Sequence, residues 1–411
     1  MNSSKSGILL SPLQGLSRGW RLLLLAVATS AAVLGCGGGV GTGGTGSFST
    51  SYSSGSITGL GSVTVNGVRY DDSQAVVEGE GLSGGRRDLR LGMTVDVDSG
   101  PVTTTATGAI ATATRIRVDS ELVGPVNAVD RAASSLTVLG QRVLVDVTTD
   151  FDDRLPAGRL DGLLVDSKVQ VFAVFDPAQS AYRASRIEPV ADTRAWHLRG
   201  PLAAVDAQSV RIGAVSYSYA GVAAPANLAV GQFVRLTLSG SGLPAGTYAV
   251  TGFGVALRVL ADADDLKFKG LVSALDSLSS FSVNGRPVDA RGATLVPAGG
   301  AGLVLGARVQ IKGQVRGGTL RATEVSVVTE DEEHQAGLEL HGSIDSVNRD
   351  TSSLVLRDTD DRLHIVGFGG PVRYRDNNRS AADLQRGARV EIKGLPSADG
   401  RRLEATDIRF E

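Results

Sequence analysis

The sequence predicts an all-β protein, a tandem array of about five small OB-like β-barrels. Three observations lead there. A block with three recurring phrases repeats along the chain, opening at glycines 55, 124, 200, 270 and 342. Apolar residues inside these phrases alternate with polar ones, the period of a half-buried strand. The composition joins 53 glycines and many β-branched residues to only 5% aromatics, as expected of short strands broken by tight turns.

The first phrase is a glycine followed by a strand-like run. It reads Gly55-Ser-Ile, Gly124-Pro-Val, Gly200-Pro-Leu, Gly270-Leu-Val and Gly342-Ser-Ile. The second places a glycine before an alternating run: Gly92-Met-Thr-Val95-Asp-Val97, Gly231-Gln-Phe-Val234, Gly306-Ala-Arg-Val309-Gln-Ile311 and Gly387-Ala-Arg-Val390-Glu-Ile392, with Asp166 in the glycine's place in the second block. The third is Ala-Thr/Ser-x-Ile/Val, at Ala113, Ala184, Ala322 and Ala405, and in looser form at Ala256-Leu-Arg-Val259. Asn66-Gly67 and Asn284-Gly285 are the dipeptides of a type I′ hairpin. Each block therefore reads as five or six strands. A block of roughly 70 residues buries too little surface to be secure alone, and closure into a barrel removes its adhesive edges. A β-sandwich array and a propeller-like repeat are the alternatives.

Before the blocks lies an export signal. Lys5, Arg18 and Arg21 precede an uncharged apolar run from Leu22 to Leu34. That run is about 13 residues long, the length of a signal h-region, and short of the roughly 20 needed to span a membrane. It ends in Val33-Leu34-Gly35-Cys36, which resembles a bacterial lipobox. Residues 1–35 are thus expected to be removed and Cys36 lipidated. Cys36 is the single cysteine, so no internal disulfide can form. Residues 36–54 read as a flexible Gly/Ser-rich leash. The β repeats then occupy 55–118, 122–189, 197–260, 266–328 and 338–411, with an acidic linker at 329–337. The glycines after Cys36 lack the aspartate that often retains lipoproteins at the inner membrane. The expected location is the cell envelope, lipid-anchored, with the outer membrane favoured.

The charge, 41 basic against 43 acidic residues, becomes more acidic when the signal peptide leaves. A mildly acidic, mixed surface argues against binding the phosphate backbone of nucleic acid. No Gly-x-Ser-x-Gly elbow accompanies the four histidines, His197, His334, His341 and His364, which read as surface or strand-end residues. No catalytic residue and no cofactor is predicted. Glu330, Asp331, Glu333 and His334 carry the ligand types for a divalent cation, but they fall where a solvated linker is expected. The third block concentrates the rare rings. Tyr217, Tyr219, Phe233 and Tyr248 are the candidate ligand-binding residues, because aromatic platforms on barrels stack bases or sugars; core filling is the competing reading.

The phrases Gly61-Ser-Val-Thr-Val-Asn-Gly-Val68, Leu91-Gly-Met-Thr-Val-Asp-Val97 and Ala113-Thr-Arg-Ile116 resemble a bacterial family of domains of unknown function, numbered 5666. The resemblance spans roughly residues 55–410. It implies exported, often lipidated chains with tandem β-barrel copies, and no catalytic residues. The expected function is a non-enzymatic binding or scaffolding lipoprotein of the envelope. A polysaccharide-binding envelope protein and a cell-wall or polysaccharide hydrolase are the alternatives. The expected partners are the membrane through the lipid anchor and a polysaccharide or an envelope protein, with no nucleic acid.

Overall fold

The structure, a computed structural model, describes residues 50–106, 108–155, 159–191, 195–244, 246–254, 256–332, 337–376 and 378–411. The expected signal peptide, Cys36, Glu333 and His334 lie outside them. The described residues fold into five closed barrels. Module 5 is the plainest. Its strands Leu338–Asn348, Ser353–Arg357 and Leu363–Gly367 form an antiparallel meander, and Arg389–Pro396 pairs with Leu403–Phe410. The third strand then joins the fifth in parallel and the first joins the fourth, which closes the order 1-2-3-5-4-1. The same order recurs in the other four modules.

Each phrase has a distinct physical task. The second-phrase position is left-handed in every module: φ is 78° at Gly92, 65° at Asp166, 85° at Gly231, 80° at Gly306 and 85° at Gly387. There the chain turns into the fourth strand, and two backbone hydrogen bonds lock it to the first. Gly92 N donates to Ile57 O and Ile57 N to Met93 O, both at 2.8 Å. The equivalent pairs join Asp166/Val126, Gly231/Leu202, Gly306/Val272 and Gly387/Ile344. Aspartate is one of the few side chains that tolerate this conformation, which explains Asp166.

The first-phrase glycine makes room for the hairpin behind it. A Cβ on Gly55 would collide with the Asn66 side chain, and one on Gly270 with Asn284. These asparagines sit left-handed in their turns, at φ 52° and 48°. The third phrase supplies a hydroxyl. Thr114, Ser185, Thr323 and Thr406 donate to the carbonyls of Asp98, Phe172, Lys312 and Lys393, at the bulge in the fourth strand. In module 3 this donor is Thr251, bonded to Thr237 O. The looser Ala256–Val259 reading is therefore corrected. That stretch follows the last strand of module 3, Ala249–Gly254, and Val259 is 91% exposed.

The alternating residues Val95, Val97, Val309, Ile311, Val390 and Ile392 all point inward. The cores do not stay separate, however. Modules 1 and 5 share one apolar core and modules 2 and 3 another, while Tyr52 of module 1 completes the core of module 4. The first strands make the joins. Strand Ser51–Leu60 of module 1 runs parallel to Ala263–Ser277 of module 4, through Ser51–Ser54 against Asp265–Phe268. It then meets module 5 through Gly59 and Leu60. Leu122 and Val123 of module 2 pair with Leu198 and His197 of module 3. Ser51–Ser54, expected to be leash, is strand because both of its edges are paired, the other to module 1's own Asp96–Ser99. Residues 48–411 are one compact unit.

The seam between modules 1 and 2 is polar and specific. Arg186, 4% exposed, is clamped by Asp150, Asp152 and Glu188 and reaches Leu91 O across the seam. Ser185 Oγ donates to Gly92 O at 2.6 Å. Two alanine substitutions separate the roles of the second phrase. At Gly231 a Cβ has open space, so Gly231→Ala costs only the left-handed strain, about 1 kcal/mol. At Gly92 a Cβ would also strike Ser185 O across the seam. Thermal denaturation of the full-length protein should show a clearly larger loss for Gly92→Ala; equal losses would remove the seam from the explanation.

Candidate functional site

The convergence of first strands leaves a cavity of about 610 Å³ that all five modules line. Ser54, Gly55 and Ile57 come from module 1, Phe175 and Arg183 from module 2, and Arg199 and Phe233 from module 3. Lys269, Gly270 and Arg308 come from module 4, and Glu339 and Lys393 from module 5. Its size is that of a small-molecule site. Asn66 braces the wall, since its Nδ2 donates to Ser54 O at 2.8 Å and to Lys267 O at 3.2 Å. Asn284 Oδ1 accepts from Leu271 N at 2.9 Å on the module 4 side.

The lining is dense in charge of both signs. On the module 1 and 3 side, Arg199 faces Asp119 at 3.4 Å and Glu121 at 3.8 Å. Burial pushes the Glu121 carboxyl up to about 7, although Arg199 works against it. Arg258 joins this group through Asp96 at 2.7 Å. On the module 2 and 4 side, Arg183, Lys269 and Arg308 gather. Burial lowers the Lys269 ammonium to about 8, and the neighbouring Arg308 adds to the shift. Arg308 is itself lowered by burial and by Arg183. Among the described residues, two buried polar atoms of the lining have no hydrogen-bond partner, Thr64 Oγ1 and Arg199 Nε.

The aromatic cluster expected in module 3 does not assemble into one platform. Tyr217 is fully buried in the shared core of modules 2 and 3, where its hydroxyl donates to Leu139 O and accepts from Gln141. Tyr248 is also buried, edge-on to Trp196, with its hydroxyl accepting from Asn127. Tyr219 packs edge-on to Phe253 and donates to Asp206 O. Phe233 lies on Gly285 of module 4 and lines the cavity. The core-filling reading thus holds for Tyr217 and Tyr248, and one ring of the four reaches the cavity.

The histidine reading is corrected for two residues. His197 and His341 are 3% and 5% exposed, because both stand on first strands where modules join. His341 lies between Glu339 and Glu411, one at each ring nitrogen. Burial opposes its charge, but these carboxylates prevail and raise the imidazole pKa. Glu339, His341 and Glu391 are close enough together to hold a metal ion. Lys393 and Arg409 already neutralise the two carboxylates, however, and both ring nitrogens are engaged. His364 is half-buried against Asp358 in a hairpin tip. Of the acidic run, Glu330 pairs with Arg183 at 3.1 Å and Asp331 is exposed.

A smaller cavity of about 210 Å³ beside the first contains Ser120, His197 and Glu80. Ser120 Oγ is 3.1 Å from His197 Nε2, and Glu80 is 3.5 Å from Nδ1. The order resembles that of a hydrolytic triad, and Arg235 also reaches Nδ1 at 3.3 Å, so this nitrogen has both an acceptor and a donor beside it.

Residues 123–188, 269–326 and 341–409 match the model of a domain of unknown function, DUF5666. No curated protein matches the chain in sequence. The chain is similar to the solved structure of CSD456 of Drosophila Unr, with 12% identity over 52% of this chain and 98% of that one, at a TM-score of 0.15. It is also similar to a multidomain protein with nucleic acid binding domains from Streptococcus pneumoniae, with 10% identity over 51% of this chain and 72% of that one, at a TM-score of 0.12. The expected partner set is corrected by these matches. The second of these proteins carries nucleic acid binding domains, so the exclusion of nucleic acid is withdrawn, and the polysaccharide or envelope-protein partner is withdrawn with it. The exclusion rested on net charge, which cannot register cations gathered at one place.

The Glu121 shift has a defined sign. Its pKa rises from the unfolded 4.5 to about 7 in the fold, so the carboxylate is disfavoured there. The associated stability is present below pH 4.5 and is lost as pH rises toward 7, by on the order of 3 kcal/mol. The melting temperature of Glu121→Gln relative to the wild type should therefore climb between pH 4.5 and 7.5. A difference that ignores pH would mean that Glu121 titrates normally.

Proposed function

We propose a function for a chain that matches DUF5666, a domain of unknown function, in three of its modules: a non-enzymatic binding protein of the cell envelope that encloses a small molecule between its five modules. The cavity carries this reading. It is concave, of the size of small-molecule sites, and walled by every module, with apolar surface interspersed with charged groups of both signs. A scaffolding role is compatible with the same architecture, because the modules present a single compact body.

The envelope location rests on the lipobox-like Val33-Leu34-Gly35-Cys36 and the apolar run before it. A diacylated cysteine would hold firmly, since each buried methylene adds about 0.8 kcal/mol. Cys36→Ala should abolish incorporation of labelled palmitate and move the protein out of the membrane fraction; continued membrane retention without label would remove the anchor.

Native mass spectrometry of the full-length protein, extracted from membranes in mild detergent, tests the binding role. A bound mass of a few hundred daltons is expected, released on denaturation and lost in Ser56→Trp, which places a ring in the cavity. A wild type without any such adduct would overturn the reading. So would steady turnover of p-nitrophenyl acetate that disappears in Ser120→Ala.

A further inference from the structure

Four of the five barrels carry a short extra strand outside the closed order. It comes from the connection between the third and fourth strands and runs parallel to the fifth. It is Val76–Gly79 in module 1, Asp150–Phe151 in module 2, Thr294–Val296 in module 4 and Arg373–Tyr374 in module 5. The register is the same in all four. Val77, Phe151, Leu295 and Tyr374 stand opposite the last residue of the third phrase, Ile116, Ile187, Val325 and Ile408. The carbonyls of Ile187 and Ile408 accept from Asp152 N at 3.0 Å and Arg375 N at 2.9 Å, so at this rung the fifth strand turns its backbone outward.

Among the described residues, module 3 has no such strand. Its connection, residues 219–232, is described throughout and contains none. Its fifth strand, Ala249–Gly254, meets the third at a single rung, Ser218 with Ala249. Beyond that rung no described residue pairs with its outer edge. Phe253 holds the place of the four aliphatic residues, opposite Leu236 on the inner side. They are at most 1% exposed, whereas Phe253 is half-buried, with its ring edge-on to Tyr219. The rung before also differs. Arg186 pairs there with Asp150 of the extra strand, and Asp407 with Arg373 at 2.8 Å. Module 3 has Gly252, where a Cβ would meet nothing nearer than 3.8 Å.

We propose that this open edge binds an extended peptide segment, parallel to Ala249–Gly254, with an apolar side chain opposite Phe253 and an uncharged residue before it. The four sister modules carry the choice of occupant, since each fills the same edge with extended chain in the same register. Unpaired backbone groups along an edge are a ready template for a further strand, and adding one is a recurring way of binding a peptide. The backbone supplies affinity, and the rings of Phe253 and Tyr219 supply the apolar contact. The edge is apart from the large cavity, whose lining includes none of Ala249–Gly254, so the inference goes beyond small-molecule binding.

A fluorescein-labelled peptide with the sequence of residues 291–297, Arg-Gly-Ala-Thr-Leu-Val-Pro, titrated into the full-length protein and read by fluorescence anisotropy, tests the proposal. Its Thr-Leu-Val is the extra strand of module 4, uncharged before the leucine. Saturable binding at one site per chain is expected, at least tenfold weaker for a peptide with Leu295→Asp. Gly252→Asp gives module 3 the charge that module 5 has at Asp407. It should melt as the wild type does and bind a Thr294→Arg peptide about threefold more tightly than the original, a preference the wild type lacks. If that variant unfolds, amide hydrogen exchange on the wild type decides instead, with Phe253 protected when peptide is added. Ser56→Trp should leave the peptide bound; loss of binding there places the peptide in the cavity and overturns the edge. No saturable binding, equal affinity for the Leu295→Asp peptide, or no new preference in Gly252→Asp overturns the proposal. A dimer in native mass spectrometry that Gly252→Asp dissolves, with no peptide binding, makes a second copy the occupant and overturns it too.

Discussion

Each barrel closes on one residue that must adopt a left-handed backbone. At Gly92, Asp166, Gly231, Gly306 and Gly387 the chain reverses its twist for a single step, and a reciprocal pair of hydrogen bonds then ties the fourth strand to the first. Without that step the fourth strand would enter out of register, and its inward residues would turn to solvent. Everything else follows from a first strand fixed in this way. Its glycine receives the hairpin, and its outer edge and face are free to meet other modules. The assembly is built from first strands because they are the strands this closure holds most firmly.

Much of this was legible in the sequence because the constraints are local. A left-handed position excludes most side chains, so glycine marks it, and Asp166 fits the same rule. Alternation in Val95/Val97 or Val390/Ile392 records which face is buried. The third phrase was legible only in part. What matters physically is the hydroxyl that bonds to the bulge, and in module 3 Thr251 keeps the hydroxyl while the flanking alanine is lost. The alanine of the phrase therefore points to Ala256, beyond the last strand of the module.

The cavity was not legible, because residues far apart in the chain build it. Ser54, Lys269 and Arg199 each precede a first-phrase glycine or lie beside one, and that position is where a first strand faces its neighbours. The signal existed but had no meaning until the first strands were brought together. The rings of module 3 misled for a related reason. Scarcity makes an aromatic residue conspicuous without saying which way it points, and Tyr217 points into a core that two modules share. The histidines misled because modules strung apart would have left His197 and His341 at a surface, whereas the joined first strands bury them.

The shared cores impose an order on the birth of the molecule. Module 1 precedes the other four modules, yet its apolar core is completed by Leu340, Ile344 and Ile392 of module 5. Its opening strand waits for Asp265–Phe268 to supply a parallel neighbour. Domains usually mature in the order in which they are made. Here the earliest module is finished last, and modules 2 and 3, which complete each other within a short stretch, are the first pair able to settle. An unfinished edge therefore stands open near the start of module 1 until the later modules are in place, and module 5 is the keystone that completes its core.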